Sequence, residues 1–141
     1  MSHYRQKILA QHPVAYWRLG DRAGSAAIDA TRNGHDGTFV GNPAHGEPGA
    51  IRHDPDRAIK LDGLRSYVEI TDDAGFSQPA SGQGLTVEVW MRPDVLVFAE
   101  HEAPEHRYVH WLGKGDKGEY EWGFRFYSKE STRPNRISAY I

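Results

Sequence analysis

Oxygen-bearing side chains recur at short intervals along one stretch of this chain, which reads Asp29-Ala30-Thr31-Arg32-Asn33-Gly34-His35-Asp36. Carboxylate, hydroxyl and amide oxygens are the ligands that Ca²⁺ prefers, and a glycine permits the sharp turn of a cation loop. An EF-hand would need a bidentate glutamate at the twelfth position, where this chain has Val40. The alternative is a polar turn in which Asp and Asn side chains cap their own backbone.

Aromatic side chains are the second group of residues that suggests a binding surface. Sugar rings present apolar CH faces that pack on flat aromatic surfaces. Trp90 shares one face of the strand-like residues 85–92 with Glu88, so we expect Trp90 to form an exposed platform for carbohydrate. Glu88, His110 and Arg125 are its expected polar neighbours. Most large aromatics in a β protein are core, and we expect this of Trp17 and Trp122.

Three short motifs resemble catalytic or cofactor sites but have the wrong spacing. Residues 101–106 contain neither His-Glu-x-x-His nor His-x-x-Glu-His, and Pro104 would break the helix that such a motif needs. Residues 113–118 match G-x-G-x-x-G, but a strand-like segment follows instead of a helix. Glycosidases need two carboxylates about 5–10 Å apart, and residues 87–92 hold only Glu88. We therefore expect no enzymatic activity.

Composition excludes several other classes of function. The formal net charge of −2 gives no reason to expect nucleic acid as a partner. The chain has no cysteine, so disulfides and thiolate metal sites are excluded. No apolar run approaches the ~20 residues of a membrane-spanning helix, and the N-terminal residues lack the apolar region of a signal peptide.

The periodicity of apolar residues predicts an all-β protein with one short N-terminal helix. The helix spans residues 2–11 and ends before Pro13. Glycine and proline mark turns at residues 41–43 and 46–49. We predict two hairpins, one pairing residues 58–61 with 67–70 and the other pairing 106–112 with 119–127. The remaining predicted strands are residues 14–19, 37–40, 85–92 and 136–141.

Alternation is clearest in residues 85–92 and 119–127. In the second of these, an aromatic stripe that is either buried or ligand-facing is opposed to a solvated one: Tyr120, Trp122, Phe124 and Phe126 against Glu119, Glu121 and Arg125. The last predicted strand runs to Ile141 without a closing turn, which would leave an apolar edge. We therefore expect a single domain over residues 1–141 that is truncated at its C-terminal end.

A family resemblance lies in the order of several segments. They are the run Pro13-Val14-Ala15-Tyr16-Trp17-Arg18-Leu19-Gly20, the stretch 29–37, the segments 58–63 and 66–70, and Leu85-Thr86-Val87-Glu88-Val89-Trp90-Met91-Arg92-Pro93. Together they resemble the laminin-G-like, concanavalin A-like lectin/glucanase domains of bacterial and phage proteins. The resemblance implies an antiparallel two-sheet β-sandwich with jelly-roll topology. It also implies a structural calcium ion, with Asp29 and Asn33 as the matching ligand positions.

The expected function is a non-catalytic carbohydrate-binding or adhesion module of a larger bacterial or phage protein. Two alternatives are a purely structural assembly domain without a small ligand and an accessory domain of a polysaccharide-degrading enzyme. The expected partners are a glycan, and either the rest of a longer polypeptide or another protein chain that completes the sheet. Such a protein would be extracellular or associated with a phage particle.

Overall fold

The computed structural model describes residues 3–77, 84–96, 108–116, 119–128, 132–133 and 135–141. These residues are mostly β: eight strands form three antiparallel sheets, and there is one short α-helix. They fall into two compact units, Met1–Gly75 and Phe76–Ile141. The predicted all-β class with an N-terminal helix is therefore confirmed, while the jelly-roll topology and the single truncated domain stay predictions. The histidine-rich motif at 101–106 lies outside the described residues.

The first unit contains the helix and five short strands. Helix α1 spans His3–Leu9, close to the predicted range. One sheet has the order β1-β2-β5 and the other pairs β3 with β4. The strands are β1 (Ala26–Ala27), β2 (Gly37–Val40), β3 (Ala44–Pro48), β4 (Arg57–Lys60) and β5 (Tyr67–Ile70). Ala27 and Phe39 are its buried apolar residues, and the Phe39 ring packs edge-on against His45 at 4.8 Å between ring centroids.

Three predictions for this unit are wrong. Residues 14–19 form no strand, because the only bridge there joins Trp17 to Asp29 and Leu19 has a left-handed φ of 55°. Strands β4 and β5 exist, but β4 pairs with β3 and β5 with β2, so they are not a hairpin. Residues 46–48 belong to β3 instead of a turn. A register shift and a φ of 77° at Gly46 accommodate them in the strand.

The second unit contains a three-stranded antiparallel sheet of order β6-β7-β8. Its strands are β6 (Tyr108–Asp116), β7 (Glu119–Tyr127) and β8 (Ile137–Tyr140). This confirms the second predicted hairpin and the last predicted strand. Residues 113–116, part of the glycine motif, continue β6, which agrees with the expectation that the motif does not open a helix.

Residues 85–92 do not form the strand that their alternation predicts. No described residue pairs with them in a ladder. Both faces of the segment are exposed, with Val89 at 49% and Trp90 at 62% of their full accessible surface. A period of two indicates a strand only where a neighbour satisfies its backbone.

Candidate functional site

One face of the sheet β6-β7-β8 brings together aromatic and cationic side chains from all three strands. We call it the tyrosine–arginine face and define it as Tyr108, His110, Tyr120, Arg125 and Tyr140. His110 and Arg125 are cross-strand register partners. The His110 ring stacks on Tyr120 with centroids 4.9 Å apart and lies edge-on to Tyr140 at 5.7 Å. All five residues are half-buried, so each retains surface that a ligand can reach.

Arg125 is held at the centre of this face by three contacts. Its guanidinium carbon lies 3.8 Å from the ring centroid of Tyr108 and 5.0 Å from that of Tyr140. Its Nε donates a hydrogen bond to Ser138 Oγ at 3.0 Å. Two cation–π contacts and one hydrogen bond fix the orientation of the guanidinium group among the described residues.

Tyr140 covers a position on the central strand that has no side chain. Tyr140 and Gly123 are register partners across β7 and β8. A Cβ atom added at Gly123 would lie 2.8 Å from Tyr140 Oη and 3.0 Å from its ring carbon Cζ. Burial raises the pKa of Tyr140, with a further increase from Tyr120 that the charge of Arg125 opposes. Gly123 therefore lets the ring lie flat on the sheet.

A β-bulge in the hairpin of β6 and β7 changes which side chains lie on each face of the sheet, compared with strict alternation. The register runs from Lys114–Trp122 to Gly115–Tyr120, so Glu121 is an extra residue in β7. Strict alternation would place Tyr120 with Trp122. The ring contacts instead place Tyr120 beside His110 and Tyr140. The predicted aromatic stripe is therefore wrong at Tyr120, which joins the face of Arg125.

The opposite face of this sheet is core. Trp111, Phe124, Phe126 and Trp122 contact one another through their rings there. Trp122 and Phe126 are 9% and 8% exposed, and Trp122 Nε1 donates a hydrogen bond to the carbonyl oxygen of Phe76 at 2.7 Å. The expectation that Trp122 is core is confirmed.

The four residues expected to bind carbohydrate divide into two pairs. His110 and Arg125 face each other on neighbouring strands. Trp90 and Glu88 lie on residues 84–96, outside that sheet. Trp90 is exposed, as a platform requires, and its role with Glu88 in sugar binding stays a prediction.

Sequence reasoning missed the tyrosines that complete the face. Tyr108 precedes His110 by two positions and so shares its side of β6, a signal that was present in the sequence. Tyr140 comes from β8 and reaches the face through its pairing with Gly123. That contact depends on strand pairing, which a two-residue period does not report.

The Asp29 carboxylate, the other candidate site, is 2% exposed and accepts hydrogen bonds from the chain itself. Oδ1 accepts from the backbone N–H groups of Tyr16 and Thr31, both at 3.0 Å. Oδ2 accepts from the Thr31 hydroxyl at 2.7 Å and from the His35 N–H at 3.4 Å. Asn33 donates its side-chain amide to the carbonyl oxygen of Val14 at 2.8 Å. These contacts match the polar-turn alternative.

The electrostatics of Asp29 follow from the same contacts. Burial acts to raise its pKa, but the Thr31 hydroxyl and the backbone N–H groups outweigh burial and lower the pKa below its ordinary value. Across the described ranges, no three His, Asp or Glu side chains group closely enough to hold a metal ion. Calcium binding by Asp29 and Asn33 stays a prediction.

No family model, curated protein or solved structure matches this chain. The laminin-G-like resemblance therefore rests on the sequence segments alone. None of the helices that the structure describes is long and apolar enough to cross a membrane.

Proposed function

We propose that the tyrosine–arginine face binds glycan and that the protein is a non-catalytic carbohydrate-binding or adhesion module. The observation that carries this proposal is the convergence of three tyrosines, His110 and Arg125 on one face of a three-stranded sheet. These side chains contact each other through one stacked pair of rings, two edge-on pairs and two cation–π contacts, and none of the five is fully buried.

Tyrosine suits sugar recognition for two physical reasons. Its ring offers a flat apolar surface to sugar CH groups, and it has few rotatable bonds to immobilise. The hydroxyl at its end can donate or accept a hydrogen bond, which on this face applies to Tyr108 and Tyr120 because the Tyr140 hydroxyl is buried. Arg125 adds donors in a fixed plane, so that the face combines a stacking surface with polar groups that orient a ligand.

We also propose a more specific fold than the all-β class. The antiparallel pairing throughout the described sheets supports a two-sheet sandwich of the laminin-G-like, jelly-roll type. A module of this kind would act outside the cell or on a phage particle, as part of a larger protein.

The experiment is affinity electrophoresis of the folded protein through gels that contain neutral or acidic polysaccharides. We expect at least one polysaccharide to retard the protein. Tyr120→Ala should weaken that binding about tenfold, the effect of losing a contact of about 1.4 kcal/mol. Tyr67→Ala removes a tyrosine that is 49% exposed on β5, and this matched control should leave retardation unchanged.

Circular dichroism checks that each variant is folded. The proposal is wrong if the folded wild type passes every gel without retardation, or if both tyrosine variants weaken binding equally.

A second function, assembly with another protein chain, is favoured by one observation. Residues 84–96 carry six exposed large apolar side chains: Leu85, Val89, Trp90, Met91, Val95 and Leu96. Exposed apolar patches of this kind mark interaction surfaces. Sedimentation of the wild type and of Leu96→Glu tests this function, and an identical concentration-independent monomer for both would contradict self-assembly.

A further inference from the structure

Residues 85–93 form a segment that has the alternation of a strand but belongs to none of the described sheets. No residue in this segment has a positive φ, and the first bend after it comes at Asp94. Seven of its nine residues are exposed, and only Val87 and Pro93 are half-buried. The segment therefore already has the unbent course and the accessible sides that pairing with another strand requires.

The order of side chains in the segment is complementary to itself when it is reversed. We consider two copies paired antiparallel about a two-fold axis at Trp90. Glu88 then lies opposite the partner's Arg92, and Val89 lies opposite the partner's Met91. The two Trp90 side chains, each 62% exposed in the single chain, lie opposite each other. Opposite charges and aromatic pairs directly across two strands both stabilise a sheet.

The neighbouring registers lack this complementarity. An axis at Glu88 would place the two glutamates opposite each other, and an axis at Met91 would place Glu88 opposite Asp94. An axis at Val89 would place Glu88 opposite Trp90, without a charge pair. Like charges directly across two strands destabilise their pairing. Of the axes at residues 88–91, only the one at Trp90 sets opposite charges against each other.

Pro93 is compatible with the same register. A proline has no N–H group, so it fits only a position that donates no hydrogen bond to the partner strand. Hydrogen-bonded and non-hydrogen-bonded pairs alternate along antiparallel strands. When the Trp90 pair is hydrogen-bonded, the pair of Pro93 with the partner's Val87, three positions away, is non-hydrogen-bonded. The proline therefore costs this pairing no hydrogen bond.

We propose that the segment pairs with a second copy of this chain, as antiparallel strands over residues 87–93 with the two-fold axis at Trp90. This inference rests on the second proposed function, assembly through residues 84–96, and specifies its partner and register. The pairing covers Val89, Trp90 and Met91, which are 49%, 62% and 40% exposed. It requires exposed charges at positions 88 and 92 and not unpartnered ones, because exposed ion pairs are weak and exchange their partners.

The experiment is sedimentation equilibrium of the full chain and of two charge reversals, Glu88→Arg and Arg92→Glu. We expect the wild type to form a concentration-dependent dimer. Each variant alone places like charges opposite each other at two positions, so its dissociation constant should rise about tenfold. An equimolar mixture of the two variants sets opposite charges against each other at both positions. The mixture should therefore dimerise about as tightly as the wild type.

Glu69→Arg is the matched control, because it makes the same change of charge at an exposed residue of β5. It should dimerise like the wild type, and it should not restore dimerisation of Arg92→Glu. The double variant Glu88→Arg/Arg92→Glu keeps opposite charges across the pair, so it should also dimerise like the wild type. Hydrogen exchange should slow on dimerisation at the Arg92 amide and not at the Met91 amide.

Two results would overturn the proposal, and they have different consequences for the proposed function. If the wild type dimerises but the mixture is no tighter than either variant alone, pairing about Trp90 is wrong and assembly through residues 84–96 stands. If the wild type and Leu96→Glu are both monomers at every concentration, self-assembly fails together with this pairing.

Discussion

The Asp29 loop and the tyrosine–arginine face use polar groups in opposite ways. In the loop, one carboxylate accepts four hydrogen bonds from the chain and is removed from solvent. On the face, Arg125 lies over the rings of Tyr108 and Tyr140, Tyr120 lies edge-on to Tyr140, and these residues stay half-buried. The loop therefore stabilises its own backbone, whereas the polar groups of the face, which we propose to bind glycan, stay partly exposed. Residue types alone do not distinguish these two uses.

The variant expected to have the largest effect on stability is Asp29→Ala. Removing the carboxylate leaves the N–H groups of Tyr16 and Thr31 without their acceptor, so we expect the free energy of unfolding to fall by about 3 kcal/mol. Urea unfolding followed by tryptophan fluorescence measures it. Asp29→Asn, which keeps one acceptor oxygen, should lose less.

Melting with and without a chelator distinguishes a structural role of the Asp29 carboxylate from a metal-binding role. If the carboxylate serves only the backbone, EDTA should leave the melting temperature of the wild type unchanged. A fall in melting temperature that Asp29→Ala abolishes would restore the calcium interpretation of the loop.

Gly123→Ala acts on the face instead of the loop. The new methyl group would collide with the Tyr140 ring, so we expect a loss of about 2 kcal/mol in stability as the ring moves. Polysaccharide retardation should weaken more than it does in Ala139→Gly, a variant of similar size on β8. Unchanged binding and stability would mean that Tyr140 does not need the bare glycine surface.

Arg125→Gln should lower the free energy of unfolding less than Gly123→Ala does. It should weaken polysaccharide retardation more than Arg136→Gln does. The variant loses the cation–π contacts with Tyr108 and Tyr140, worth about 1 kcal/mol at a partly exposed site. Arg136→Gln changes an exposed arginine just before β8 by the same chemistry. Equal binding by the two variants would show that charge at this face is not used.

The smallest effect on stability is expected from Asp62→Asn, in the exposed turn around Asp62. Its carboxylate accepts hydrogen bonds from the backbone N–H groups of Leu64, Arg65 and Ser66, which hold its pKa well below the ordinary value. A lowered pKa stabilises the fold above the unfolded-state pKa of about 3.9, and this stabilisation is lost as the pH falls from there toward the folded-state pKa.

The melting temperatures of the wild type and Asp62→Asn test this direction of the pH dependence. We expect the variant to melt at a lower temperature at pH 7, and the gap to shrink as the pH falls below about 4. A gap that does not change with pH would assign the effect to geometry instead of charge.

Local patterns predicted local structure in this chain. The helix that ends before Pro13 and the hairpin of β6 with β7 depend on residues close in sequence, and both are confirmed. The partners of β4 and β5 were predicted wrongly, because which strands meet depends on packing that a period of two does not encode. Residues 85–92 have the alternation of a strand without a described neighbour.

The candidate site was predictable only in part for the same reason. His110 and Arg125 were predicted as polar neighbours of Trp90; their register pairing places them beside each other, while Trp90 lies outside their sheet. Tyr120 was assigned to the wrong side of β7, since strict alternation cannot account for one extra residue. Asp29 was a plausible cation ligand by residue type, and only its hydrogen bonds reveal how its oxygens are used.

The extra residue in β7, Glu121, changes which side chains of that strand share a face of the sheet. Glu119 and Tyr120 lie on the faces opposite to those that their spacing from Trp122 would give. We expect deletion of Glu121 to restore strict alternation, so that Tyr120 moves to the face of Trp122, and to remove the ion pair between Glu121 and Lys114. Which side chains share the tyrosine–arginine face thus depends on the number of residues in β7 as well as on their identity.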